Sequence, residues 1–165
     1  MNRDRHIVSD TGPLITLERL TDGYSFIRLL YDKILIPRAV LDELRSSQLP
    51  NALAYLSHYG IADLLEIVDV QGVPTFAEAE LLDAGEVESI QLAIGSGLPL
   101  LIEEEAGRRA ARELGVQISG IAGQILKALR RDLITAAEAR GKLRELFEKG
   151  RVSRRIYEGL LEAIA

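Results

Sequence analysis

Short apolar runs alternate with stretches of helical spacing along most of the chain, and this alternation constrains the fold more than any other feature. Ile7-Val8, Lys33-Ile-Leu-Ile-Pro37, Leu64 to Val70, Leu98 to Ile102 and Val116 to Ile118 read as strands. Between them, helices are expected over Pro13 to Leu20, Tyr24 to Tyr31, the residues opened by Pro37, Ala52 to His58, Phe76 to Leu82, Glu86 to Gly95 and Arg108 to Leu114. Pro13 suits a first helical turn and Gly60 suits a helix stop. Alternation of this kind implies an α/β fold: a mostly parallel central sheet flanked by helices in three layers. Beyond Gly120 the chain is helix-rich, and Leu143, Leu146 and Phe147 carry helical spacing through 141–150. The expected organisation is a core over 1–120 and a helical C-terminal extension over 121–165, packed on the same domain.

Composition narrows the chemistry. The 165 residues suit one domain, and 47% hydrophobic with 27% charged content excludes wholesale disorder. There is no Cys, so disulfides, thiol catalysis and Cys-ligated zinc are excluded, and His6 and His58 cannot make a His-rich metal site by themselves. No apolar run reaches the ~20 residues of a membrane span and no signal peptide is visible, so a cytoplasmic location is expected. Residues 1–99 hold 7 basic and 15 acidic side chains, against 13 and 10 in residues 100–165. The first part suits a cation, and the second leans toward an anion.

The acids fall where a parallel sheet binds ligands, outside the carboxyl ends of its strands. Asp10 follows the first strand, Glu43 sits on the helix after the second, Glu86 opens the helix that feeds the strand at 98–102, and Glu103, Glu104 and Glu105 follow that strand. Carboxylates gathered without matching Lys or Arg repel one another unless a hard divalent cation neutralises them, Mg²⁺ or Mn²⁺ being the natural ions. Each acid also has an ordinary role. Asp10 before Gly12-Pro13 suits a helix cap, Asp83 with Glu86 a capping box, Glu43 a surface helix position, and the Glu103–Glu105 run a helix N-terminus. Glu88, about 200° around a helix from Glu86, belongs outside any pocket that holds Glu86. Arg108, Arg109 and Arg112, or Lys127, Arg130 and Arg131, are the groups expected to meet phosphates near the metal, against the ordinary role of a solvated or salt-bridged face. Tyr24 and Tyr31 are expected in the core. Asp10-Thr11-Gly12 also spells the aspartic-protease signature, but that enzyme class is all-β and the residues after it here have helical spacing. A receiver-like domain would want acids clustered at its first strand, where only Asp10 fits.

Ile-Val-Ser-Asp-Thr-Gly-Pro-Leu-Ile (7–15), Ile-Pro-Arg-Ala-Val-Leu-Asp-Glu-Leu (36–44) and Leu-Asp-Ala-Gly-Glu-Val-Glu-Ser-Ile-Gln-Leu-Ala (82–93) together resemble the PIN-domain superfamily. Leu-Leu-Ile-Glu-Glu-Glu-Ala-Gly-Arg-Arg-Ala-Ala (100–111) and Ile-Ser-Gly (118–120) are similar to a prokaryotic branch of predicted nucleic-acid-binding PIN proteins, akin to VapC-type toxins. The resemblance implies a metal-dependent endoribonuclease. Asp10, Glu43, Glu86 and Glu104 would be the catalytic acids and, with Glu103 as a substitute, would ligate Mg²⁺ or Mn²⁺. Thr11 and Glu88 would support them, and Arg108, Arg109 and Arg112 would contact RNA. It also implies a homodimer and a small antitoxin partner; single-stranded DNA is the alternative substrate. Glu103-Glu104 stands where that branch has Asp-Asp. The added methylene moves each carboxylate by roughly 1 to 1.5 Å, a displacement that can cost ~10²-fold in rate. The alternative reading is therefore a catalytically weakened PIN domain that binds RNA or an antitoxin.

Overall fold

The structure is a computed structural model describing residues 3–45, 49, 51–74 and 76–165. Among the described residues, one sheet is built from β1 (His6–Ser9), β2 (Lys33–Pro37), β3 (Leu65–Val68), β4 (Leu100–Leu101) and β5 (Ile118–Ser119). All its ladders are parallel, in the order β3-β2-β1-β4-β5. Helices α1 (Thr11–Arg19) and α2 (Gly23–Ile27) lead from β1 to β2, and α3 (Arg38–Leu44) and α4 (Ala52–Tyr59) from β2 to β3. Helix α5 (Ala84–Ser96) returns the chain to β4, on the other side of β1, and α6 (Glu105–Glu113) joins β4 to β5. The strand order reverses between β1 and β4, and a crevice is expected outside their carboxyl ends.

Period-2 alternation sends neighbouring strand residues to opposite faces. Ile7, Ile34, Ile36 and Leu101 join a core with Leu14, Leu17, Ile27 and Leu30, whereas Val8, Leu100 and Ile102 join a second with Ile90, Ala93, Ala110 and Ala111. Helices therefore cover both faces, as expected. Helices α7 (Ile121–Arg130) and α8 (Ala136–Glu148) deliver Ile121, Ile125, Ala139, Leu143 and Leu146 to the first core. Helix α9 (Arg154–Ile164) rests on the outside: Ile156 is exposed, Leu160 packs partly, and Phe147 stacks on Tyr157 with ring centroids 4.9 Å apart. Tyr24 and Tyr31 are buried; their hydroxyls meet the Tyr55 hydroxyl at 2.9 Å and Gln124 Oε1 at 2.6 Å.

Several element limits differ from the sequence reading. β4 is shorter than 98–102: at its start Pro99 has no N–H to donate, though its carbonyl still accepts from Val8 N at 2.9 Å. Pro37 ends β2 and stands before α3 in extended conformation, outside the helix proper. The stretch 76–82 forms only a 3₁₀ turn (Ala77–Leu81), and α6 begins at Glu105 rather than Arg108. Among the described residues, no helix is long and apolar enough to cross a membrane. The parallel sheet and the helix starting at Thr11 leave no place for an all-β protease.

Candidate active site

Asp10 leaves β1 with its amide bonded to the Leu101 carbonyl at 2.9 Å, which fixes it at the β1–β4 crevice. It stands before α1 in the position of a cap, yet its side chain makes no cap hydrogen bond. Its residue surface is 3% exposed, and Oδ1 is buried without a hydrogen-bond partner. Glu43 reaches the same corner from the last turn of α3 and is held on both oxygens. Thr11 Oγ1 donates to Oε2 at 2.5 Å, and Gly85 N donates to Oε1 at 3.1 Å. Glycine leaves room for that close approach: a Cβ on Gly85 would lie 2.7 Å from Glu43 Oε1 and would push the carboxylate aside.

Asp83 completes the corner. Its Oδ1 caps α5 by accepting from Glu86 N at 2.8 Å, the half of the capping box expected from the sequence. One ligand atom each from Asp10, Glu43 and Asp83 lie within 4.8 Å of one another. The sequence reading assigned Asp83 to capping alone; the Asp-x-x-Glu signal at the mouth of α5 was the available clue that the cap faces the same corner. Glu86 turns inward as expected, is 8% exposed, and leaves Oε2 buried without a partner against Gly107 of α6. Glu88 is half-buried beside Asp42, Glu43 and Asp69, at the edge of the cluster.

The two acids after β4 part company. Glu103 is engaged elsewhere: Oε1 accepts from Thr16 Oγ1 at 2.8 Å and from Arg151 Nη2 at 3.3 Å, and Oε2 accepts from Ile121 N at 3.2 Å. Arg151, from the link between α8 and α9, also donates to Thr16 Oγ1 at 2.8 Å and to the Gly12 carbonyl at 3.2 Å. Nothing local in the sequence marks Arg151, which reaches the crevice only through the packing of the tail. Glu104 is exposed and lies outside the close trio, though its charge is felt at Asp10. Arg108 folds back to donate to the Ile102 carbonyl at 2.8 Å, while Arg109 and Arg112 are exposed on α6.

Burial, with the charges of Asp83, Glu43 and Glu104, pushes the Asp10 carboxyl up to about 7 against the opposing bond from the Thr11 backbone. Burial, then Asp83 and Asp10, pushes Glu86 up to about 7 as well. Among the described residues, no Lys or Arg forms an ion pair with Asp10, Glu43, Asp83, Glu86 or Glu104. Hard oxygen donors, unpartnered buried oxygens and uncompensated negative charge fit a divalent cation of the Mg²⁺ or Mn²⁺ kind.

Residues 6–165 match the family DUF3368, described as a PIN domain. No curated protein and no solved structure gives a significant match. PIN domains are generally nucleases that typically use divalent metals, and the acidic crevice between β1 and β4 accords with that chemistry. With a match over nearly its full length and a parallel α/β sheet carrying acids at its switch point, this chain belongs to the PIN-domain family.

Proposed function

We propose that this PIN domain is a metal-dependent endoribonuclease of the toxin type. The observation that carries this reading is the convergence of Asp10, Glu43 and Asp83 at the sheet's switch point, with Asp10 Oδ1 buried and unpartnered. In this reading Asp10, Glu43 and Asp83 hold the ion, with Glu86 and Glu104 as the further catalytic acids. Mg²⁺ or Mn²⁺ bound there would supply Lewis acidity and neutralise charge developing on a phosphodiester. Thr11 and Gly85 orient the Glu43 carboxylate, and Asp83 ties the corner to the first turn of α5. Arg109 and Arg112, exposed on the helix that begins beside Glu104, would meet RNA phosphates, and Arg108 would brace the strand end behind them. The resemblance to VapC-type toxins supports a cytoplasmic homodimer restrained by a small antitoxin.

A second reading, a weakened enzyme that binds RNA or antitoxin, draws on Glu103. Its two oxygens are spent on Arg151, Thr16 and Ile121 N, which leaves Glu104 as the available acid from that strand end. Cleavage of a panel of structured and single-stranded RNAs with Mn²⁺ or Mg²⁺ separates the two. Wild type should cut, and Asp10→Asn or EDTA should abolish cutting. Cleavage only by the Glu103→Asp/Glu104→Asp variant would establish the weakened enzyme. Silence from wild type and both variants on RNA and single-stranded DNA would remove the nuclease reading.

A further inference from the structure

At the opposite end of the sheet from the acidic crevice, a groove of about 1020 Å³ opens where β1, β4 and β5 begin, with His6, Pro99 and Gln117 on the sheet side. Helix α7 forms the other wall and brings Lys127, Arg130 and Arg131 to it. Lys127 is half-buried: its Nζ donates to Tyr31 Oη at 3.0 Å and sits 5.0 Å from the ring centroid, and Tyr31 Oη in turn donates to the buried Gln124. Among the described residues, none of the three cations has an ion-pair partner. Arg5 also lines the groove but is committed to Asp32 and to the carbonyls of Arg28 and Leu29; Asp4 is the acid in the lining.

Basic residues in a helix's last turn complement its dipole, and that would account for Lys127 and Arg130 one by one without any ligand. It does not account for the gathering of Lys127, Arg130 and Arg131 on one groove, with Lys127 held on Tyr31 Oη and, among the described residues, bonded to no carboxylate. Three cations without an ion pair among the described residues, gathered around one groove in a chain of net charge −5, favour an anion. Tyr31 in the lining is buried with Lys127 over its ring, which leaves His6 as the ring of the lining open to stack on a base. With three cations against one open ring, the groove suits phosphates more than bases. Helix α6 starts beside Glu104 at the acidic end and finishes shortly before Gln117 at the groove, with Arg109 and Arg112 exposed along it.

We propose that this groove binds the phosphodiester backbone of RNA, irrespective of sequence, as a second contact remote from the acidic crevice. The identity of the ligand rests on the ribonuclease reading; the charge and shape of the groove do not. The test is binding of a labelled single-stranded RNA of about 15 nucleotides, in EDTA so that nothing is cut, across roughly 50 to 200 mM salt. The Arg130→Gln/Arg131→Gln variant, altered at exposed positions, should keep its circular dichroism and melting temperature. It should bind about tenfold more weakly at low salt, with a slope of log affinity against log salt shallower by about 1.4, or 0.7 per lost phosphate contact. Adding Lys127→Gln should weaken binding further.

Unchanged affinity and slope in these variants, or no RNA binding by wild type, would overturn the proposal. So would AMP displacing the RNA at concentrations matching the RNA's own dissociation constant, which would assign the groove to a small phosphate ligand. Groove variants that lose binding while wild type never cuts would sink the nuclease alone. Full binding by those variants, beside metal-dependent cutting by wild type, would sink the groove alone.

Discussion

Replacing Asp10 by Asn should stabilise the metal-free protein at alkaline pH while destroying its metal site. The unfolded chain releases the Asp10 proton near 3.8 and the folded chain only near about 7. Between those values the folded state holds the extra proton, so stability falls as pH rises through that window and the loss is complete above it. A displacement of this size corresponds to roughly 4 kcal/mol at pH 8 and to less than about 1 kcal/mol at pH 4. Asn carries no charge but brings an amide that must find partners in a buried corner, a cost of about 1–3 kcal/mol that is the same at both pH values. The pH-dependent part of the difference between Asn and wild type therefore isolates the charge, at about 3 kcal/mol in favour of Asn on going from pH 4 to pH 8. Urea unfolding of EDTA-treated protein at the two pH values measures it. A difference between the proteins that does not change with pH would refute the reasoning, since Asp10 would then ionise as it does in the unfolded chain. Adding Mn²⁺ at pH 8 should reverse the order, stabilising wild type by about 3 kcal/mol at a hundredfold excess over the dissociation constant and leaving Asp10→Asn unmoved.

Other substitutions probe separate parts of the crevice. Asp83→Asn keeps a good helix cap and removes a charge, so it should lower Mn²⁺ affinity at least about tenfold in calorimetric titration with little change in melting temperature; Asp83→Ala should also lose about 1 kcal/mol of stability. Gly107→Ala would place a Cβ 2.6 Å from Ile102 Cδ1 and 2.7 Å from Glu86 Oε2, and should cost about 1–3 kcal/mol in denaturant unfolding. Arg151→Gln removes the donors that hold Glu103, Thr16 and the Gly12 carbonyl and should cost about 1–3 kcal/mol. Glu103→Gln should cost less, because its amide oxygen can still accept from Ile121 N.

Strand–helix alternation was enough to foresee the parallel sheet, because a β1-like run such as Ile7-Val8 and a helix such as 86–95 announce themselves by local period. Asp10 was legible for the same reason: it is the first acid after a buried strand. What local pattern cannot convey is which atoms a side chain is left facing once helices have packed. Asp83 looks like a cap and is one, but only the approach of α3 to the mouth of α5 turns it toward Glu43. Glu103 and Glu104 are neighbours in a run of three acids, and their separation depends on Arg151, 48 residues beyond Glu103. The second group of cations, Lys127, Arg130 and Arg131, was visible as a charge cluster, whereas the groove it lines exists only where three strands begin together.

The cap of α5 has a consequence for how the crevice would report on its own occupancy. Asp83 serves the first turn of that helix with one oxygen while lying in the acidic trio, so the local opening of the turn and the electrostatic state of the crevice share a carboxylate. The amide of Glu86, which the cap protects, sits at that shared point. Its hydrogen-exchange rate, followed by NMR, would sense charge compensation in the crevice with no substrate and no turnover, and the end of a helix would become the protein's own indicator of what the site holds.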